Sequence, residues 1–519
     1  MPIFLMPSLK KMASIKHKQI IKTYNKPFMK KIIYAALCVA TLFATSCKKE
    51  VLEQGQKELV VSGVVDTLKG NITVNTTVTK TTYLKGLVYI KPGVTLKVNP
   101  GVTIKGSNGG ATFNLTNLEN NKGTLIVEKG AKLIANGTAS SPIVWTSEKV
   151  AGQRDFGDWG GIVILGNAPI ISSTGATNNI FEALTDIPNT GGRNNYGGTS
   201  TTDNSGSITY NRIDFAGGVI SAANREVNGL TLCGVGSGTT LKYIEVSNSG
   251  DDAFEFFGGT VNASYLVSFG NKDDDYDFDE AYTGRLQFII AYRNSLADIS
   301  GSSMIELDNN ASANVFGTKT LPFIANVTLI GPASAVVRTT NLSGNPIEGS
   351  HFDAGIYVRR SGLIRLANSL IIAQAMGSAF ACTPTTYDNL FLSPTALGAS
   401  AVVCNLLESS VGNINNGLIQ SSYGSVAALY SNESNPILLP ETLYNNGDLL
   451  RKFENNSNAF LRYYASFKLG AALNPLNFSP ALNGGINLAA YGFVGTTQRG
   501  AVRSTDIWTA GSWISTDIH

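Results

Sequence analysis

From residue 87 onward the chain reads as short runs in which apolar and polar positions alternate, separated by turns. Residues 87–104 are LVYIKPGVTLKVNPGVTI and residues 125–134 are LIVEKGAKLI. Each places a Gly between two strand-like runs, and Pro92-Gly93 and Pro100-Gly101 are turn signals. Strict alternation over a few residues predicts half-buried strands. No long helical pattern interrupts this region, which disfavours βαβ folds.

The alternation carries a longer period. Phe254-Glu255-Phe256 recurs 22 residues later as Tyr276-Asp277-Phe278, and Asp251 recurs as Asp273. A second strand follows each triplet: Leu266-Val267-Ser268-Phe269, then Phe288-Ile289-Ile290-Ala291. Leu230-Thr231-Leu232 fits the triplet place upstream, and Ile305-Glu306-Leu307 and Ile356-Tyr357-Val358 fit it downstream. Ile244-Glu245-Val246 and Val327-Thr328-Leu329 fit the second place. Short strands and turns repeating at about 22 residues are the signature of a parallel β-helix. The predicted fold is therefore all-β, a right-handed single-stranded parallel β-helix with loop insertions and a capped C-terminal end. Phe254, Phe256, Tyr276 and Phe278 point inward, while Glu255 and Asp277 point outward. An antiparallel sandwich is the alternative fold, but it does not explain the 22-residue register.

GVTLKVNPGVTIKG (93–106), GTLIVEKGAKLIANGTASSPIVWTS (123–147), GDWGGIVILGNAPI (157–170) and GDDAFEFFGGTVNASYLV (250–267) resemble a family of Gram-negative β-helical outer-membrane lipoproteins. RGAVRSTDIWTAGSW (499–513) is similar to its closing segment. The resemblance implies fold and location, and it brings no activity with it.

The first residues support that location. Met29-Lys30-Lys31 leads into the apolar run IIYAALCVATLF (32–43), too short to span a membrane as a mature helix. Ala44-Thr45-Ser46-Cys47 then resembles a lipobox, in which the Cys is acylated, palmitate being an expected chain, and becomes the mature N-terminus. The alternative is an ordinary signal peptide that contains a Cys. Lys48-Lys49 in place of an Asp favours the outer membrane, and Glu50 favours exposure at the cell surface over a periplasmic-facing anchor. The expected organisation is a signal peptide with a start-site extension (1–46), a lipidated tether (47–62), the β-helix (63–500) and a capping segment (501–519), with Trp508 and Trp513 over the open end of the solenoid. A short helix is expected in PETLYNNGDLLRKF (440–453).

Removing the leader changes the charge. Residues 1–46 hold eight Lys and no acid, so 40 − 8 = 32 basic residues face 37 acidic ones, a net of −5. A mildly acidic body argues against a nucleic-acid partner. Of five Cys, Cys38 leaves with the leader and Cys47 takes lipid; Cys382 and Cys404 either pair or remain buried thiols, as Cys233 does.

Residues 247–282 hold nine acids and eight aromatics in thirty-six positions, so the acids must share strands with the core. The 22-residue register stacks Asp251 on Asp273, Asp252 on Asp274 and Glu255 on Asp277; it sets Asp275 and Asp279 on the outward face, with Glu306 and Asp308 one coil on. Unit charges about 4.8 Å apart repel by roughly 1 kcal/mol in water and about 3.5 kcal/mol at an effective dielectric of 20. Ca²⁺ is the natural counter-ion, because it takes six to eight oxygens in irregular geometry. The expected metal ligands are Asp251, Asp252, Asp273, Asp275, Glu255 and Asp277. Zinc is disfavoured, since only His17, His351 and His519 exist. The alternative is a solvated acidic stripe balanced by Arg285, Arg293 or Lys272.

Two function classes follow. One is a binding or structural lipoprotein that presents a rigid solenoid to glycans or other surface proteins. The other is a calcium-dependent lyase or hydrolase on acidic glycans, with Arg285 as its base. Gly250-Asp251-Asp252 is similar to a short motif of β-helix galacturonidases, but the Asn-Thr-Asp and Gly-His-Gly companions are absent. The non-enzyme is favoured.

Overall fold

A computed structural model describes residues 67–110, 113–221, 225–293, 302–313, 316–331, 352–372, 485–503 and 506–515, together with short strands at 59–61, 378–382, 401–403, 406–408 and 437–438. The leader with Cys47, the segment 440–453, and the side chains of Cys382 and Cys404 lie outside these residues. Cys233 is a buried free thiol.

The chain winds as a right-handed parallel β-helix, as its alternation and period predict. Among the described residues, twenty-six strands pair in parallel from coil to coil. The antiparallel pair Asn179–Ile180 with Asn195–Tyr196 belongs to an inserted loop. Each full coil gives strands to three sheets. The first sheet runs through Thr95–Val98 and Lys132–Asn136. The second runs through Thr103–Gly106 and Ile143–Ser147. The third runs through Thr124–Val127, Gly161–Leu165, Leu230–Cys233, Phe254–Phe257, Tyr276–Asp279, Ser302–Leu307 and Phe352–Val358. In the later coils a single long strand, such as Thr240–Ser247 or Asn262–Phe269, serves both the first and the second sheet.

The register follows the repeat closely on the third sheet. Leu230, Phe254, Tyr276, Ile305 and Ile356 pair in succession, as do Thr231, Glu255, Asp277, Glu306 and Tyr357. Alternation then sends one set inward and the other outward. Phe254 lies on Tyr276 with ring centres 5.2 Å apart, and Phe256 lies on Phe278 at 4.9 Å. All four rings are fully buried. On the long strands the register departs by one residue from the expected 22. Leu266 pairs with Ile289, not Phe288. The extra residue lies in the turn between Asp279 and Leu286, since Phe257 pairs with Asp279 but Ala263 pairs with Leu286.

Phe288 instead occupies a corner. Tyr210, Tyr243, Tyr265, Phe288, Asn326 and Asn368 stand where a strand passes from the first sheet to the second, and all have φ between +53° and +58°. Bulky residues avoid this left-handed region unless neighbours hold them there. Here like stacks on like. Tyr210 and Tyr243 lie 4.3 Å apart, Tyr243 and Tyr265 4.4 Å, and Tyr265 and Phe288 5.1 Å.

The C-terminal segment runs back along this corner. Ile486 N donates to Asn368 Oδ1 at 2.9 Å, and Val494 N donates to Gln287 Oε1 at 2.8 Å. Ala501 N donates to Thr328 Oγ1 at 2.9 Å. Trp508 meets Tyr265 edge-on, and Trp513 meets Tyr243 and Tyr210 edge-on. Ser512 Oγ then donates to Ala139 O at 2.9 Å. The two Trp therefore cover a flank of the middle coils, where the sequence reading set them over an open end. The reason is the aromatic corner: it offers apolar ring edges, and indole rings bury best against them.

Phe256→Ala is expected to destabilise the fold by about 3–5 kcal/mol, because the ring fills the interior and stacks on its copy in the next coil. Denaturant unfolding checks this; a loss under about 1 kcal/mol would refute the stacked register.

Candidate functional site

The outer face of the third sheet changes character along the solenoid. Its first outward positions, Tyr89, Ile126, Val163 and Leu165, are apolar, and an inserted loop covers them with Ile170, Phe181 and Leu184. Cys233 and Phe257 continue that cluster. One coil later the position after Phe257 in the same column is Asp279. The neighbouring outward column passes from Val163 and Thr231 to Glu255, Asp277 and Glu306. The turns feeding these strands add Asp251, Asp252, Asp273 and Asp274.

Three carboxylate groups result, each with oxygens within 4.8 Å of one another: Asp251, Asp252 and Asp273; Asp252, Glu255 and Asp277; Asp274, Asp277 and Glu306. They share Asp252 and Asp277, so they form one connected field across three coils. Asp274 N donates to Asp252 Oδ1 at 2.8 Å, tying adjacent turns together. Asn228 donates to Glu255, and Ser303 N donates to Asp274. Asp277 Oδ1 is buried and accepts no hydrogen bond. The far end is closed by guanidinium groups. Arg359 Nε lies 3.0 Å from Asp308 Oδ1 and also pairs with Glu306, while Arg360 pairs with Asp308.

Electrostatics follow from this crowding. Burial pushes Asp251, Asp252 and Asp274 well above the usual carboxylate range, and neighbouring carboxylates push further: Asp273 on Asp251 and on Asp274, and Asp274 on Asp252. Glu255 is raised by burial and then by Asp277. Asp277 is pushed up to about 7 by burial and Asp308, against the pull of Arg359. Burial takes Asp308 to about 6 despite Arg360. At neutral pH such a field must hold protons or a cation. Two oxygens bound to one Ca²⁺ at about 2.3–2.6 Å can lie no more than about 5 Å apart, a limit these groups meet.

The structure brings together five of the six expected ligands: Asp251, Asp252, Asp273, Glu255 and Asp277. Asp275 is a correction. It turns into the interior, where Arg293 Nε lies 2.8 Å from its Oδ2 and both side chains are fully buried. An unpaired charge is not tolerated there, so the Arg anchors it inward. Arg285 is a second correction. It lies on the first sheet, paired with Phe323 and beside Gly492 of the returning segment, away from the acids on the third. Proximity in sequence misleads because one coil carries the chain around the solenoid. Arg359 holds the place expected of Arg285. Its signal lay in the repeat: it follows Ile356-Tyr357-Val358 as Asp279 follows Tyr276-Asp277-Phe278.

The pH dependence has a definite sign. An acid with a raised pKa in the folded state keeps its proton there after the unfolded chain has lost it. Stability present below about pH 4, the ordinary carboxylate value, is lost as pH rises through about 7 for Asp277. In chelator the Tm should fall between pH 5 and 8, and Asp277→Asn should reduce that slope. A Tm that rises over this range would contradict the arrangement.

A family model of the pectate-lyase-like β-helix domain matches residues 68–390. No curated protein and no solved structure matches the chain. The matched stretch contains the acidic field, Arg359 and the aromatic corner, and it covers more than half of the sequence. The chain belongs to the family of pectate-lyase-like β-helix domains.

Proposed function

We propose that the protein is a lipid-anchored outer-membrane β-helix that binds Ca²⁺ on the outer face of its third sheet and serves there as a binding module for acidic ligands at the cell surface. The observation that carries this reading is the connected carboxylate field, whose groups are spaced for shared ligation across three coils. A divalent ion there replaces repulsion between coils with cross-linking, and an ion with coordination positions left over can bridge to a carboxylate of a glycan. Asp251, Asp252 and Asp273 would hold one ion and Asp252, Glu255 and Asp277 a second, with Asp274 and Glu306 extending the field toward Arg359. The anchor is supported by Ala44-Thr45-Ser46-Cys47 after a short apolar run.

A second reading, a calcium-dependent lyase or hydrolase of acidic glycans, draws on Arg359. Its guanidinium borders the carboxylates and is held by Glu306 and Asp308. Burial lowers its pKa, which is the direction a base requires. Incubation with polygalacturonate or alginate separates the two. Unsaturated products absorbing in the ultraviolet, lost in Arg359→Ala, would establish the lyase; intact polymer leaves the binding module.

Ca²⁺ should raise the Tm and chelator lower it, with about 2.7 kcal/mol of stabilisation at a hundred times the dissociation constant. Asp251→Asn combined with Asp273→Asn should abolish that response while the fold persists. Melting curves indifferent to calcium in the wild type would remove the site.

Cys47→Ser should move the protein from the membrane fraction to the soluble fraction on cell fractionation. Retention of the variant in the membrane would end the lipoprotein reading.

A further inference from the structure

A separate cleft lies on the second sheet in the first coils, far along the solenoid from the acidic field. Its cavity measures about 670 Å³. That is within the range of small-ligand pockets. One wall is the sheet itself, carrying the outward side chains Thr67, Tyr83 and Lys85. The other is formed by Gly109 and Gly110 and by the loop residues 113–121. That loop is built to hold its shape. Asn114 Oδ1 accepts from Thr116 N at 3.0 Å and Asn117 N at 2.8 Å, and Asn121 Nδ2 donates to Asn114 O at 3.0 Å. It sits down on Gly86, where a Cβ would stand 2.1 Å from Leu118 O and where φ is +61°. A side chain at 86 would lift the loop and open the cleft.

The lining has a specific chemistry. Tyr83 is 40% exposed, whereas most aromatic rings among the described residues are buried. Its column neighbours are Thr67 in the preceding coil and Lys105 in the next. Lys105 Nζ stands over the ring at 5.9 Å, while Thr67 on the other side is too small to cover it. One face of a flat apolar ring is thus presented to the cleft. Around it stand polar groups of both kinds. Glu148 accepts from Asn108 N at 2.8 Å through one oxygen, and Ser107 and Asn120 also line the cavity. The charged residues lining the cavity are Lys85, Glu119 and Glu148, and Glu119 is paired with Lys69 at 3.1 Å. Two carboxylates beside one lysine give the lining no excess of cations to draw in a polyanion. A ring face, flanked by amide, hydroxyl and carboxylate groups, matches a ligand with one apolar face and a rim of hydroxyls.

We infer that the cleft between Tyr83 and the 113–121 loop binds a neutral saccharide, whose pyranose face stacks on Tyr83 and whose hydroxyls bond to Glu148 and the amide side chains. This site is independent of the acidic field, since they occupy different sheets and different coils. Calorimetric titration of the full chain tests it, using neutral trisaccharides of glucose, mannose, galactose and xylose beside tri-galacturonate. At least one neutral sugar should bind more tightly than tri-galacturonate. Tyr83→Ala should weaken that sugar at least tenfold, and Tyr83→Phe should preserve it. The Asp251→Asn, Asp273→Asn double variant should leave it unchanged, so that failure here and failure of the calcium reading are told apart. Because Tyr83 is exposed, circular dichroism of the Ala variant should match the wild type. No binding by any neutral sugar, tighter binding of tri-galacturonate, or an unchanged Kd in Tyr83→Ala overturns the assignment.

Discussion

Each side chain in this solenoid meets, about 4.8 Å away, whatever occupies the same position in the next coil. That enforced stacking decides which residues can recur. Aromatic rings gain from it, by about 0.5–1.5 kcal/mol per pair beyond burial, and they recur inside at Phe254, Tyr276, Phe256 and Phe278 and again at the corner. The corner gain also offsets a backbone conformation that Tyr and Phe otherwise avoid. Carboxylates lose from the same geometry. Their recurrence at Glu255, Asp277 and Glu306 therefore demands a compensating charge, which Arg359 supplies beside Glu306.

Much of this was legible in the chain because stacking leaves a period. Triplets with apolar ends and a polar centre gave the third sheet and its register, from Leu230 to Val358. The pairing of Glu255 with Asp277 followed from spacing alone. What escaped has physical causes. A single extra residue in the turn between Asp279 and Leu286 shifts the next strand and moves Phe288 from the wall to the corner. Asp275 lies in a turn, where strict alternation has ended, so its inward course toward Arg293 had no periodic signal. Arg285 and the acids are close in sequence, yet a coil has three sides. The 113–121 loop and its cleft depend on one close approach at Gly86, which no local pattern announces.

The third sheet shows how one architecture serves two purposes on one face. In the early coils its outer surface is apolar and is sealed by an inserted loop carrying Ile170, Phe181 and Leu184. Where that cover ends, acids begin. The loop contributes to the boundary directly: Tyr196 donates to Glu280 Oε2 at 2.6 Å and Asn179 to Oε1 at 2.9 Å. The acidic field is thus framed by an apolar seal on one side and by Arg359 and Arg360 on the other.

Solenoids ordinarily fold from nearest-neighbour contacts, and nucleation can begin anywhere and spread. The returning C-terminal segment breaks that locality. Ser512 reaches Ala139 across 373 residues of chain, and Ser515 reaches Glu245 across 270. Closing so long a loop adds entropy loss that only late contacts repay. The coils can wind on nearest-neighbour contacts alone, yet their aromatic corner stays uncovered until residues 486–515 dock on it. That segment therefore acts as a seal laid over a structure already standing.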